Sequence, residues 1–269
     1  MTAHNGTCVR PSIMPVMDAG VVALIPAAGR GRRLGDGAMG SKEVVDVAGE
    51  PVAGHLLRRL ALAEIRQALV VLREGKWDVP SALLGYRSLD LALRYVIVGD
   101  TRSELHSVAE GLAFAGRDLV ALGYPDVLFE PNDAFSALLN RQSRTGADLV
   151  LGLFPSDIPQ RVDMVALDSN MAPVEIVIKQ PDRGLRYSWS IAVWTPSFSR
   201  YLIDFVSNID NDSNEQSPKD DPQELSVGHV VQDALVEGFA VEAVIFREGS
   251  YLDIGTPDDL AEARRIISG

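Results

Sequence analysis

The chain of 269 residues has one cysteine (Cys8), four histidines and fewer basic than acidic residues, 25 Lys+Arg against 37 Asp+Glu. A single cysteine excludes an internal disulfide and a cysteine-rich zinc site. A formal net charge of −12 argues against broad binding to nucleic acid or to an anionic membrane, because both need a basic surface. No apolar run approaches the ~18 residues of a transmembrane helix. Residues 1–19 lack an apolar h-region and carry two prolines, so they do not read as a secretory signal. They read as a mobile leader, with Met14 and Met17 as alternative starts, and the cytoplasm follows as the default compartment. There is no internal repeat and no hexapeptide pattern of an appended β-helix. No serine–histidine or cysteine–histidine arrangement stands out: His55, His106 and His229 fall in helical patterns and His4 in the leader.

What remains is ordinary globular composition, 46% hydrophobic and 23% charged, on a chain long enough for a full core. Val21–Ala28 is a short, β-branched apolar run and predicts a buried strand. Further strands are expected at Ala68–Leu72, Leu93–Val98, Leu119–Gly123 and Leu149–Phe154. Helices are expected at Val52–Arg66, Ser103–Phe114 and Pro131–Arg141, the last with Asn132 as its cap. This alternation predicts an α/β fold with a mostly parallel sheet covered on both faces. After residue 155 the pattern changes. Val162–Leu167, Pro173–Ile178 and Tyr187–Trp194 read as strands without long helices between them, which predicts an antiparallel addition. A helix at Phe198–Val206, a mobile acidic loop at 208–224, a helix at His229–Glu237, a strand at Val241–Phe246 and a helix from Pro257 complete the chain.

The strongest local signal is GRGRRLGDGAMGSK at 29–42, in which five of fourteen residues are glycine. Arg30, Arg32, Arg33 and Lys42 against Asp36 give it +3 in a chain of −12, leaving −15 for the rest. Glycines permit close backbone approach, consecutive N–H groups cradle phosphate oxygens, and arginine and lysine add charge. The loop follows a strand, where ligands of open α/β sheets bind. A polyanion fits such a loop, a nucleoside triphosphate above all; a solvated surface loop is the plainer alternative. A dinucleotide fingerprint fits less well. Gly29 to Gly35 is GxGxxxG, and the acidic residue expected ~20 positions on is missing.

Two carboxylates join the loop as candidates. Asp126, in ALGYPDVLFE at 121–130, lies just past the fourth predicted strand. Asp253, in SYLDIGTPDDLAEA at 250–263, ends a short strand before Gly255 turns the chain. Thr256, Pro257 and Asp259 read as the cap of the final helix, which explains the neighbouring acids but not Asp253. Two distant carboxylates suit a Mg²⁺ ion that completes its shell with phosphate oxygens and water.

These residues together resemble the sugar-1-phosphate nucleotidyltransferases, or NDP-sugar pyrophosphorylases. The family's AGGxGTRLxP opening stands here as Ala27-Ala28-Gly29-Arg30-Gly31-Arg32-Arg33-Leu34, with Ser41-Lys42 after it. Val-Ala-Gly-Glu-Pro-Val at 47–52 is similar to the segment that enters the family's first helix. Tyr251 to Pro257 is similar to its late D-x-G-T-P motif. The resemblance implies a Rossmann-like nucleotide-diphospho-sugar transferase fold over a single domain at 20–269. It implies transfer of a nucleotidyl group from an NTP to a sugar 1-phosphate, with Mg²⁺ as cofactor. By the same resemblance Ala28, Gly29, Gly31, Arg33 and Lys42 bind the nucleotide, and Arg33 and Lys42 stabilise the departing pyrophosphate. Asp126 and Asp253 hold the metal, and Lys179, in Ile-Lys-Gln-Pro, binds the sugar phosphate. Three departures stand out: the family's Gly-Asp is spread over Gly123-Tyr124-Pro125-Asp126, its Glu-Lys-Pro has become Lys-Gln-Pro, and the proline after Arg33-Leu34 is absent. NTP and sugar 1-phosphate are the expected partners; nucleic acid and membrane are not, and homo-oligomerisation is left open. Cytidylyltransferases of isoprenoid synthesis and molybdopterin nucleotidyltransferases share the loop. They remain alternatives, as does a non-catalytic nucleotide-binding regulator. Trp189 and Trp194 read either as core or as the wall of a sugar pocket.

Overall fold

The computed structural model describes residues 20–29, 40–181, 183–215 and 225–268. Strand β1 (Val21–Pro26) is followed by a 3₁₀ turn at Lys42–Val44 and a two-residue hairpin, β2 (Asp46–Val47) and β3 (Glu50–Pro51). Then come α1 (Val52–Leu62), β4 (Gln67–Arg73), α2 (Asp78–Leu83), β5 (Ala92–Val98), α3 (Glu104–Leu112) and β6 (Leu119–Gly123). The middle of the chain forms β7 (Val127–Glu130), α4 (Ala134–Thr145), β8 (Leu149–Pro155), β9 (Asp163–Leu167), β10 (Pro173–Ile178) and β11 (Tyr187–Trp194). The last part forms α5 (Pro196–Glu215), α6 (Val227–Val236), β12 (Val241–Ile245), β13 (Ser250–Asp253) and α7 (Pro257–Ser268).

Among the described residues nine strands form one sheet, running β10-β9-β11-β6-β1-β4-β5, with β8 on the other edge of β11 and β12 beyond it. β6, β1, β4 and β5 are mutually parallel, as the alternation predicts. β11 is antiparallel to β6, β8 and β9, and β9 to β10, which is the expected antiparallel addition. Side chains alternate across β1. Val22 and Leu24 pack with Leu105 and Val108 of α3 and Phe198 of α5. Ala23 and Ile25 face Leu56 and Leu60 of α1 and Phe135 of α4. Both faces of the sheet's centre are therefore dry, which is why its central strands are near-continuously apolar, whereas the edge strand β5 leaves Tyr95 and Ile97 exposed. Gly111 sets the approach of α3, because a Cβ there would lie 2.5 Å from Val71 Cγ2. Trp194 belongs to this core, fully buried against Phe198 with its Nε1 donating to Ser199 at 2.9 Å.

Three expectations need correction. The helix expected at Phe198–Val206 runs on to Glu215, so 208–215 is helix and not loop. Its acidic tail is held because Asp210 meets Arg102 at 2.9 Å and His106 at 3.3 Å, so charge anchors what apolar periodicity does not. Residues 216–224, like the leader at 1–19, lie outside the described residues. The cap of α4 is Asp133, one residue after Asn132. Finally, the helix expected at Val52–Arg66 ends at Leu62, where the chain turns toward β4. β7, which continues the chain past Asp126 and pairs antiparallel with the expected strand β13, is the element that local pattern does not reveal.

Candidate functional site

The parallel strands end at Pro26, Arg73, Val98 and Gly123, and a cleft of about 950 Å³ opens beyond them. Ala28 and Gly29, on the peptide leaving β1, form part of its wall. Lys42 enters from the 3₁₀ turn. Its Nζ lies 2.5 Å from Asp126 Oδ2. Asp126 is 6% exposed, and the short segment after β6 delivers it to the ligand end of the sheet. The β7–β13 pairing brings in the second carboxylate: Asp253 is in register with Val127, and Ile254 N–H donates to the Asp126 carbonyl at 2.9 Å. Residues 127 apart in the chain thus become neighbours at the cleft, where both aspartates lie. Burial acts to depress the Lys42 ammonium pKa, but the Asp126 carboxylate, helped by Glu43 and Asp253, reverses this and raises it. Lys42 is therefore a fixed cation at neutral pH.

A second group of side chains lines the same cleft farther along the sheet. Lys179 follows β10 with φ of 44°, a left-handed conformation uncommon for a residue with a Cβ. Its charge acts on Glu104, at the start of α3, and on Asp163, at the start of β9. Burial pushes the Glu104 carboxyl up to about 7. The Tyr124 hydroxyl, donating to it at 2.7 Å, opposes the rise, and the nearby Asp163 adds to it. Burial likewise raises Asp163, against the pull of Lys179 and His229. In β11 the pairing with β8 slips between Trp189 and Ile191, so Ser190 sits on a bulge. Bulges re-aim side chains next to functional sites, and both Trp189 and Ser190 line the cleft here. Trp189 Nε1, Ser190 Oγ and Asp163 Oδ1 are buried and have no hydrogen-bond partner among the described residues. Such atoms cost free energy unless something bonds them.

The structure thus brings together Ala28, Gly29, Lys42, Asp126, Lys179 and Asp253 around one cleft. Gly31 and Arg33 lie outside the described residues. The sequence reading missed Arg73, Arg161 and Asp163, which also line the cleft, and it gave no role to Glu104, within the 103–109 segment that the resemblance sets near the base. Arg73 is the last residue of β4, and its place at a strand's carboxyl end was a usable signal. Glu104 reads in sequence as a first-turn helix acid, and nothing local separates it from an ordinary one. The three helical histidines are structural. His55 meets Glu50 at 3.3 Å, His106 meets Ser103 at 2.8 Å, and His229 completes the capping box of α6 with Ser226. The cap of α7 is as expected, with Thr256 N–H and Oγ1 both donating to Asp259 Oδ2 at 2.9 and 2.7 Å. No helix among the described residues is long and apolar enough to cross a membrane.

Comparison with known proteins places this geometry in a family. A model of the MobA-like NTP transferase domain matches residues 23–180, which include Ala28, Gly29, Lys42, Asp126 and Lys179. The 2-C-methyl-D-erythritol 4-phosphate cytidylyltransferase of Streptomyces avermitilis is 31% identical over 171 residues, 62% of this chain and 66% of that protein. The match thus spans just under two thirds of that relative's length. Solved structures agree over almost the whole chain. A UDP-glucose pyrophosphorylase complexed with UDP-glucose superposes with a TM-score of 0.76 at 14% identity, covering 93% of this chain and 98% of the other. The inositol-1-phosphate CTP transferase from T. maritima gives 0.71 at 20% identity, covering 93% and 96%. At these identities the two structures establish a shared fold, that of the nucleotide-diphospho-sugar transferases. The chain belongs to the MobA-like NTP transferase family.

Proposed function

We propose that this protein transfers a nucleotidyl group from an NTP to the phosphate of a small acceptor, releasing pyrophosphate. The observation that carries this reading is the Lys42 ammonium paired with Asp126, with Asp253 on the same cleft, at the carboxyl end of a parallel sheet. An oxygen of the acceptor phosphate attacks the α-phosphorus of the NTP. The new P–O bond replaces the bond to the bridging oxygen of the β-phosphate, and pyrophosphate leaves with that oxygen. The nucleophile is already an anion, so no general base is needed, and catalysis reduces to positioning and charge neutralisation. Lys42, charged at neutral pH, stabilises negative charge on the transferring and departing phosphates. Ala28 and Gly29 bring the main chain close to the nucleotide, with Gly31 and Arg33 completing the loop's part.

The donor set suits magnesium. Asp126 and Asp253 offer hard oxygen ligands, and Asp126 already faces a cation, the Lys42 ammonium. No group of three or more His, Cys, Asp or Glu suited to a metal occurs among the described residues. The remaining ligands would come from phosphate and water, as magnesium prefers. Asp126 and Asp253 would hold the ion, which when bound neutralises triphosphate charge and polarises the α-phosphate.

For the acceptor we favour a sugar 1-phosphate. Lys179 supplies a cation for its phosphate. The unpartnered Trp189 Nε1, Ser190 Oγ and Asp163 Oδ1 offer donors and acceptors for hydroxyls. A second reading is cytidylyl transfer to a non-sugar phosphate, favoured by the 31% identity to an enzyme named for 2-C-methyl-D-erythritol 4-phosphate. Thermal unfolding against ATP, GTP, CTP, UTP and dTTP, each with and without Mg²⁺, tests the donor half. A ligand at ~100 times its Kd adds about 2.7 kcal/mol, or roughly 5–10 °C at this size. A Mg²⁺-dependent shift with one nucleotide is expected. No shift with any of them would count against a triphosphate site and favour a regulator with another ligand.

A further inference from the structure

The segment that leaves β4 reads Arg73-Glu74-Gly75-Lys76-Trp77-Asp78, which in sequence is a polar turn. In the fold Lys76 is buried, with 7% of its surface exposed. Its ammonium donates to the Ala27 carbonyl at 2.7 Å, the Gly29 carbonyl at 3.0 Å and Glu43 Oε1 at 2.7 Å. An ammonium has three donors, and three acceptors meet them. Glu43 is completely buried. Two residues on, Asp78 accepts from Ser41 N–H at 2.6 Å and from Ser41 Oγ at 2.8 Å. Gly40 at φ of 115° leaves room for this, since a Cβ there would lie 2.9 Å from Asp78 Oδ2. Ala27 and Gly29 stand at the start of the basic loop, and Ser41 and Glu43 flank Lys42. A buried ion pair is rarely the most stabilising filling for its space, and its best-attested use is to specify an arrangement. What this one specifies is the position of Lys42 relative to the peptide leaving β1.

We propose that Lys76 is a positioning residue: with Glu43 it staples the strand exit at Ala27–Gly29 to the turn that carries Lys42, and so holds Lys42 against Asp126. The proposal rests on the reading of Lys42 as the charge-stabilising residue of nucleotidyl transfer. Asp78 acts as a second, shallower clasp through Ser41.

The test is the full-length double variant Lys76→Met/Glu43→Leu, which removes both charges and keeps apolar volume. Thermal unfolding, amide hydrogen exchange and steady-state kinetics are measured on the same preparation. The expected result is unfolding close to wild type, about tenfold faster exchange at 40–47, and unchanged exchange in β4 and β5. The kcat is expected to fall about tenfold or more with a smaller change in the KM for NTP, as for an interaction made in the transition state. A folded double variant with wild-type exchange and wild-type kcat overturns the proposal. If the double variant does not fold, Glu43→Asp takes its place. It keeps the charge and shortens the reach by one methylene, and exchange at 40–47 and kcat should move in the same directions. Wild-type values there overturn the proposal as well. If wild-type protein turns over no substrate, exchange alone decides the staple, and it is the nucleotidyl-transfer reading that fails.

Discussion

Lys42 Nζ and Asp126 Oδ2 meet at 2.5 Å although 84 residues separate them in the chain. Neither side chain is placed by its own element alone. Lys42 is carried by a three-residue turn tied to the β4–α2 segment, and Asp126 by the short stretch between β6 and β7. The pair is therefore a product of tertiary structure, and it marks where a cation and a carboxylate are held ready at the cleft.

Replacing Lys42 by Met removes the fixed cation and leaves Asp126 without its partner. The kcat is expected to fall about 10²–10³-fold, the usual loss when one group that stabilises developing charge is deleted. Stability should drop by about 1–3 kcal/mol, because a nearly buried carboxylate loses its hydrogen bond. Kinetics and denaturant unfolding read the two effects separately. A variant within twofold of wild-type kcat would remove Lys42 from the reaction.

Asp253→Asn separates metal binding from folding. Asp253 is only partly buried, on the last residue of a strand whose main-chain pairing to β7 the change leaves in place. The melting temperature without ligands should stay near wild type, while the Mg²⁺-dependent shift with nucleotide and the pyrophosphate release both disappear. Retention of the Mg²⁺-dependent shift would take Asp253 out of the metal site.

Ser190→Ala should have opposite effects on stability and on acceptor binding. The buried Ser190 hydroxyl has no partner among the described residues, so removing it should leave the ligand-free protein as stable or slightly more so. If that hydroxyl bonds the acceptor, the acceptor KM rises by about 5- to 30-fold, equivalent to about 1–2 kcal/mol. The KM for NTP stays constant. Equal changes in both KM values would place Ser190 outside the acceptor end of the cleft.

Glu104 gives the fold a specific pH dependence. Burial raises its carboxyl to about 7 from the ordinary 4.5 of a glutamate. Between these values the folded state binds a proton that the unfolded state has lost, so stability declines as pH rises. The contribution is complete below about 4.5 and gone above about 7, where both states are ionised. Glu104→Gln should flatten the fall in melting temperature between pH 5 and 7.5 and be relatively more stable at pH 8. Parallel pH profiles for the variant and wild type would show that Glu104 does not titrate this way.

Much of the sheet was legible because its central strands are buried on both faces. Leu119–Gly123, Pro173–Ile178 and Tyr187–Trp194 have the bounds that apolar pattern gives them. The same logic put Asp126 past a strand end and so at the ligand face. What stayed hidden was non-local. Residues Val127–Glu130 become a strand only by pairing with Ser250–Asp253. The bulge at Ser190 is a register slip against β8, which no period-2 pattern shows. Nothing in the sequence around Lys76 announces that Glu43 and two carbonyls close around it. The acidic run after Val206 lacks the apolar residues of a strong helix, yet 208–215 is helical, with Asp210 meeting Arg102 just before α3 and His106 within it. Trp189 and Trp194 looked alike in sequence, yet one lines the cleft and the other fills the core.

The most direct measurement is pyrophosphate release with Mg²⁺, each of the five nucleoside triphosphates and a panel of sugar 1-phosphates, together with 2-C-methyl-D-erythritol 4-phosphate, products being identified by mass. The expected result is stoichiometric pyrophosphate and a nucleoside diphosphate-linked acceptor for one pairing, lost in Asp253→Asn. A sugar as that acceptor supports the favoured reading, and methylerythritol phosphate the second. Nucleotide binding without pyrophosphate release across the whole panel would contradict nucleotidyl transfer to acceptors of these classes.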